Sequence, residues 1–141
     1  MPILTEDVRS KLQEEFAELP GKAKLVVFTQ EFECAHCREN TALAQEVAAV
    51  SEQVDIEIHN LALDKEMAEH YGVGKIPAIV VEGEKDYGVR FYGVPAGYEF
   101  TTLIEAIKAV SAGESGLAPK TKETLAELKD PLHIQVLVTP T

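Results

Sequence analysis

The chain contains two cysteines, Cys34 and Cys37, separated by Ala35 and His36. An apolar run over residues 24–29 predicts a buried strand before the pair, and residues 38–50 predict a helix after it. This context places a thiol at a helix N-terminus, where the partial positive charge of the helix favours the thiolate. Because the thiolate is the reactive species in disulfide exchange, the arrangement predicts a thiol–disulfide oxidoreductase.

The two sulfurs are expected to have different roles. Cys34, at the helix start and nearer to solvent, would attack a substrate disulfide, and Cys37, one turn inside, would resolve the mixed disulfide. His36 can give a hydrogen bond or positive charge to the Cys34 thiolate, which would make the couple more oxidising. Glu31 and Glu33 oppose this effect. We expect a couple more oxidising than that of a dedicated reductant.

Two other interpretations of the cysteine pair are open. A zinc site needs four ligands, usually a second Cys-x-x-Cys or a pair of histidines. The remaining histidines, His59, His70 and His133, do not have that spacing. An inert, buried cysteine pair is the second alternative, but the polar start of a helix is an unsuitable place for one. The redox interpretation is therefore favoured.

Composition limits the class of protein. A chain of 141 residues with 45% hydrophobic residues can form one domain with a core. Its net charge of -11 argues against nucleic acid and anionic membranes as partners. No apolar run approaches the ~20 residues of a membrane span, and residues 1–12 contain no signal-peptide core. These features predict a cytoplasmic protein.

The periodicity of apolar residues predicts the elements that position the pair. Helices are expected over residues 5–19, 38–50, 64–71 and 100–110, and strands over residues 24–29, 54–61, 77–81 and 89–92. The first and third strands are continuously apolar and belong in the centre of a sheet, whereas the other two alternate and tolerate its edges. The order predicts a three-layer α/β fold whose central sheet is mixed, with a parallel core, a final antiparallel strand pair and helices on both faces.

The C-terminal segment repeats the opening order of elements. Residues 114–120 read as a linker, residues 121–129 as a helix and residues 134–138 as a strand. We therefore predict a first domain over residues 1–113 and an incomplete second copy of the fold over residues 121–141. The alternative is a final strand that joins the existing sheet or a partner.

Pro77 is the second informative position. A proline that opens a central strand removes a backbone donor, which is normally unfavourable there. From the residues alone, the Ile76–Pro77 bond can be cis or trans.

Cys34 and Cys37 after an apolar strand, followed by Ile76 and Pro77, resemble the thioredoxin superfamily. In that superfamily the proline is cis and packs beside the redox pair. The resemblance implies that Pro77 faces both cysteines and that the Ile76 backbone pairs with a bound substrate chain.

The chain is similar over its whole length to a more specific group, the protein disulfide oxidoreductases of thermophiles, which consist of two tandem glutaredoxin-like units. Residues 75–78, 91–95 and 135–141 carry this resemblance. In that group a second Cys-x-x-Cys follows the last of these segments directly, so the chain corresponds to the first unit and the start of the second.

This resemblance implies cytoplasmic disulfide exchange with protein substrates, a role in cell redox homeostasis, and electrons from a flavin-dependent, thioredoxin reductase-like donor. It implies no cofactor besides the Cys34–Cys37 disulfide. Unlike thioredoxins, the chain has no Trp before the motif and no acidic residue in the strand over residues 24–29. Proton transfer would then use Glu31, Glu33, His36 or water.

Two further functions are kept as alternatives. The domain could be a redox-dependent interaction module, or an electron-transfer subunit of a peroxidase or reductase partner, without general turnover. A metal-binding module is the less favoured alternative. An exposed final strand could also pair two chains edge to edge, which would give a dimer.

Overall fold

The computed structural model describes residues 1–139. In chain order, the described elements are α1 (Glu6–Ala17), β1 (Ala23–Thr29), α2 (Cys37–Ala48), β2 (Val54–Asn60), α3 (Lys65–Tyr71), β3 (Ala78–Glu82), β4 (Val89–Tyr92), α4 (Tyr98–Ala112) and α5 (Pro119–Ala126).

The sheet has the strand order β2-β1-β3-β4. The continuously apolar strands β1 and β3 therefore lie in the centre and the alternating strands β2 and β4 at the edges, which confirms the sequence prediction. The predicted antiparallel pairing of β3 with β4 is also confirmed.

The predicted parallel core is only partly correct. The sheet is mixed, as predicted, but the two central strands are not parallel: β1 is parallel to β2 and antiparallel to β3. The reason is the length of α3, which has seven residues and spans about 10 Å, whereas the seven residues of β2 span about 23 Å. The helix of this connection therefore does not run back along the full length of β2 as a crossover helix would, and β3 begins near the end of β2 and runs in the opposite direction.

Helices cover both faces of the sheet. On one face, buried residues of α1, α2 and α4 pack with inward residues of β1 and β3 around Phe16 and Ile107. On the other face, α3 and the residues after it pack against Phe28 and Val80. The domain therefore has the predicted three layers, with β1 buried between two cores.

Local sequence signals set the ends of two helices. The Thr5 side chain accepts a hydrogen bond from the Val8 backbone N–H at 3.3 Å, so Thr5 caps α1. Gly72 ends α3 with a left-handed φ of 64°, a conformation that glycine adopts without steric cost.

The C-terminal segment differs from the prediction. α5 begins at Pro119, two residues early, because a proline is pre-organised for the first position of a helix. Residues 131–139 contain no strand, although one was predicted over residues 134–138. Among the described strands, none pairs with residues 131–138, and apolar side chains such as Leu137 and Val138 are exposed.

Pro140 and Thr141, the last residues of the predicted second unit, lie outside the described residues. The division of the chain at residues 113 and 121 stays a prediction. Over residues 1–139, no helix is long and apolar enough to cross a membrane.

Candidate active site

The redox motif follows the end of a central strand. β1 ends at Thr29, a loop follows, and α2 begins at Cys37. On the neighbouring strand β3, Ala78 pairs with Phe28 near the end of β1. Pro77, which precedes β3, therefore lies at the same end of the two central strands as the redox motif. The sheet thus brings the cysteine loop and the Ile76–Pro77 segment, which are far apart in sequence, to adjacent strand ends.

Cys34 and Cys37 form a disulfide, with their Cα atoms 5.5 Å apart. Cys34 is partly exposed, whereas Cys37 is buried with 1% of its surface accessible. This asymmetry agrees with the predicted roles, because an attacking sulfur needs access to substrate and a resolving sulfur does not. The predicted positions were wrong, however: Cys37, not Cys34, is the first residue of the helix.

His36 occupies the N-cap position of α2, but its side chain makes no capping hydrogen bond. The ring is 70% exposed, and its Nδ1 atom lies 3.6 Å from a carboxylate oxygen of Glu39. Among residues 1–139, the hydrogen bonds of the structure include none between His36 and either sulfur. Any effect of His36 on the cysteines is therefore long-range electrostatics in a solvated setting.

The loop before Cys34 has a constrained shape. Gln30 donates a side-chain hydrogen bond to the Phe32 carbonyl at 2.8 Å. Glu33 then adopts a left-handed φ of 57°, which non-glycine residues rarely adopt. This turn leaves the Phe32 ring 77% exposed beside the redox pair.

The Ile76–Pro77 peptide bond is cis, as the resemblance implied. Pro77 is buried, and its carbonyl accepts a hydrogen bond from the Gly93 N–H at 2.9 Å. Ile76 is half-buried and packs against the core on the face of the sheet that α3 covers. Within residues 1–139, no hydrogen bond uses the Ile76 backbone, so this backbone is available to pair with an extended peptide.

Two polar residues of the site were missed by sequence reasoning. Asn40 is completely buried, and neither its Oδ1 nor its Nδ2 atom has a hydrogen-bond partner among residues 1–139. The buried Thr41 hydroxyl also lacks a partner. Asn40 lies three residues after Cys37, within the apolar face that continues to Leu43 and Val47. A polar residue within the apolar stripe of a helix is the sequence signal that could have identified Asn40.

An open groove of about 570 Å³ lies along the redox loop and the first turns of α2. It is lined by Thr29, Gln30, Glu31, Phe32, Arg38, Thr41, Ala42 and Gln45. Within residues 1–139, no group of three or more His, Cys, Asp or Glu side chains is arranged to hold a metal ion.

Comparison with known proteins shows a likeness to thioredoxins. The family model of the thioredoxin domain matches residues 23–105. A thioredoxin of Methanocaldococcus jannaschii is 33% identical over 89 residues, which make up 62% of this chain and 95% of that protein.

Solved structures extend the likeness beyond the thioredoxin domain. A protein disulfide oxidoreductase from Aeropyrum pernix superposes with a TM-score of 0.79 and 28% identity, over 89% of this chain and 55% of that one. The predicted likeness to this group is confirmed, and the present chain spans just over half of that structure. A domain of the alkylhydroperoxide reductase AhpF from Enterococcus faecalis shares the fold, with a TM-score of 0.79 and 23% identity over 89% of this chain and 61% of that one.

Proposed function

Since the chain belongs to the thioredoxin domain family, we propose that it is a protein disulfide oxidoreductase whose Cys34–Cys37 pair exchanges disulfides with protein substrates. One observation carries this proposal. The pair is a disulfide at the end of a central strand, with one sulfur partly exposed and the other buried at the first position of α2. That asymmetry suits an attacking and a resolving thiol.

In the reducing direction, the Cys34 thiolate attacks one sulfur of a substrate disulfide and forms a mixed disulfide. The first substrate thiolate leaves and takes a proton from water. The Cys37 thiolate then attacks the Cys34 sulfur, and the second substrate thiolate leaves. The two electrons of the dithiol thus reduce the substrate disulfide, and the Cys34–Cys37 bond forms again. The opposite direction oxidises a substrate dithiol.

The Ile76 backbone and Pro77 would position the substrate. An extended peptide beside the redox pair can exchange hydrogen bonds with the unused Ile76 amide and carbonyl groups, as a strand adds to a sheet edge. The exposed Phe32 ring offers apolar contact on the loop itself. Because backbone groups and one ring impose little sequence preference, we propose that the substrates are varied proteins.

Turnover in the reducing direction needs a donor that restores the dithiol. We propose a flavin-dependent, thioredoxin reductase-like enzyme as that donor and the cytoplasm as the compartment. A reductase of this kind would reduce the purified protein with a nicotinamide cofactor as electron source. No reduction by any such enzyme, with glutathione still active, would contradict this part of the proposal.

The first test is a redox titration in glutathione buffers, with free thiols trapped by an alkylating mass tag. We expect one reversible two-electron transition that links Cys34 to Cys37. Turnover with insulin or a scrambled protein would then establish catalysis. Absence of any transition across the buffer range would contradict the proposed function.

A second candidate function is a redox-dependent interaction module that exchanges once with its partner. The observation in its favour is the exposed apolar surface of the C-terminal segment, which includes Leu128, Leu132, Ile134, Val136, Leu137 and Val138. A reversible transition combined with one stoichiometric exchange, and no turnover with insulin, would favour this candidate over the enzyme.

A further inference from the structure

The strongest unexplained feature of the domain is Asn40. Its side chain has no accessible surface, and in the part of the chain that the structure describes both ends of its amide lack a hydrogen-bond partner. A buried, unpaired amide costs on the order of 1–3 kcal/mol. The neighbouring inward positions of α2 hold the apolar residues Leu43, Ala44 and Val47. A leucine at position 40 would avoid this cost, so packing does not account for the amide.

The position of Asn40 relative to Cys37 suggests what the amide is for. Residues three apart on a helix lie on the same face, and both residues are buried, Cys37 with 1% of its surface exposed. In the disulfide, the Cys37 sulfur carries neither a proton nor a negative charge. Reduction changes this sulfur alone among the buried neighbours of Asn40 on that face of α2.

We propose that Asn40 is a positioning residue for the resolving thiol, and that its side-chain amide hydrogen-bonds to the Cys37 sulfur when the disulfide is open. The inference rests on the proposed function. In the dithiol, the Cys37 S–H donates to Oδ1 of Asn40. In the thiolate, the sulfur accepts a hydrogen bond from Nδ2 of Asn40. An amide can serve both states because it has a donor and an acceptor.

This contact assists the second half of the exchange. Cys37 loses its proton to water, and Nδ2 of Asn40 stabilises the thiolate until it attacks the Cys34 sulfur. The bond between Cys34 and the substrate breaks, and the departing substrate thiolate takes a proton from water. Protons and electrons therefore balance without any further reactant.

Among the described residues, the strand segments beside the start of α2 contribute no carboxylate. β1 presents only apolar side chains over Leu25–Phe28, and β3 begins with the apolar Ala78. The charged groups near the start of α2 are all exposed: Glu31, Glu33, His36, Arg38 and Glu39. The predicted use of Glu31, Glu33 or His36 as proton acceptors would act through solvent, whereas Asn40 lies on the buried side of the helix.

The test measures Cys37 alone. In a Cys34→Ala background, the single remaining thiol is titrated by its ultraviolet thiolate absorbance, with and without Asn40→Leu. We expect Asn40→Leu to move the titration midpoint upward by about one pH unit, a tenfold loss of thiolate at a given pH. Leu43→Ala is the matched control, since it alters packing one turn further along the same face and should leave the midpoint in place.

A second measurement uses the intact pair. In glutathione buffers, Asn40→Leu should favour the disulfide by about threefold to tenfold relative to the dithiol, because only the dithiol loses a hydrogen bond. An unchanged Cys37 midpoint together with an unchanged equilibrium would overturn the inference. If the wild-type chain shows no redox transition, the proposed function fails, and the Cys37 titration still decides the role of Asn40.

A third measurement uses the wild-type protein, so it does not depend on whether a variant folds. The side-chain NH₂ resonances of Asn40 should shift when the disulfide is reduced and should then titrate together with Cys37. Resonances that are identical in both redox states and constant with pH would contradict the contact.

Discussion

The polar groups at the two ends of strand β1 differ in whether they are paired. At the amino end, Lys24 Nζ lies 2.9 Å from Glu82 and 3.1 Å from Glu57, and the Tyr71 hydroxyl donates to Glu82 at 2.8 Å. At the carboxyl end, the Asn40 amide and the Thr41 hydroxyl have no hydrogen-bond partner among the described residues. In the oxidised protein, the polar groups at the amino end are paired with one another, whereas two polar groups at the carboxyl end are unpaired.

The difference separates stability from function. Paired groups lower the free energy of the folded state, and the ion pairs at the amino end involve neither cysteine. Unpaired groups beside a redox pair are free to form hydrogen bonds in the reduced state that the oxidised state does not have. Substitutions at the amino end should therefore change the free energy of unfolding, and those at the carboxyl end should change disulfide exchange.

The cysteines give the largest expected effect. Cys34→Ser should reduce insulin turnover to the level of buffer, because no attacking thiolate remains. Cys37→Ser should instead accumulate a mixed disulfide on Cys34, which mass spectrometry detects. The stability lost in either variant should stay near 2 kcal/mol, since the disulfide closes a very short loop.

The reverse pattern would contradict the assigned roles. If Cys34→Ser accumulated the mixed disulfide and Cys37→Ser did not, the buried sulfur would be the attacking group, and the exposure of the two residues would not predict their chemistry.

Gly83, beside the paired end, should affect stability alone. A Cβ atom at Gly83 would lie 2.0 Å from the Val110 carbonyl oxygen, so β3 and α4 would have to separate. We expect Gly83→Ala to destabilise the domain by about 3 kcal/mol in urea denaturation, with an unchanged redox midpoint. Gly74→Ala is the control, since a Cβ there meets nothing within 4 Å.

Much of this architecture follows from the sequence. Continuous apolar runs identified the central strands, and Cys34, Cys37 and Pro77 are the residues from which the candidate site was predicted. The direction of β3 did not follow, because apolar periodicity reports burial and not strand direction. The strand predicted over residues 134–138 was wrong because a strand needs a partner, which local sequence does not supply.

Asn40 shows the limit at the site itself. Helical spacing placed Leu43, Val47 and Val50 in one stripe, and the same spacing includes position 40. That its amide is buried without a partner depends on where β1 and the loop before Cys34 lie. Such a property arises only from the folded arrangement, and functional sites are where local rules are expected to fail.

The paired end should weaken at alkaline pH. Burial, followed by the hydrogen bond to Glu82, raises the pKa of Tyr71 to about 12, and the hydrogen bond to Glu82 raises the pKa of Lys24. Because both pKa values are raised in the folded state, their contribution is complete below pH 10 and is lost as the pH rises toward 12. We expect a loss of about 2 kcal/mol over this interval, measured by urea denaturation.

Tyr71→Phe provides the control for the alkaline loss. It removes the hydroxyl that titrates but keeps the ring, so the decline in stability should become shallower while the redox midpoint stays constant. A decline as steep as that of wild type would mean that the titration of Tyr71 is not its cause.

Substitution of His36 should give the smallest effect on the redox equilibrium. It tests whether exposure to solvent weakens the influence of a charged group at the carboxyl end of β1. Its ring is 70% exposed and lies beside Glu39, so its charge is screened by solvent and partly offset by that carboxylate. We expect His36→Ala to make the couple more reducing by only about twofold to threefold in the glutathione equilibrium, and Glu39→Gln to move it the opposite way.

Salt distinguishes this long-range effect from a direct contact. The His36 effect should shrink at high ionic strength, whereas the effect of Asn40→Leu should persist because that amide is buried. A His36→Ala variant more oxidising than wild type would reverse the sign assigned to the ring. Since Glu39 is the carboxylate that the ring contacts, such a reversal would mean that His36 acts mainly by orienting Glu39 toward the helix start, not by stabilising the Cys34 thiolate.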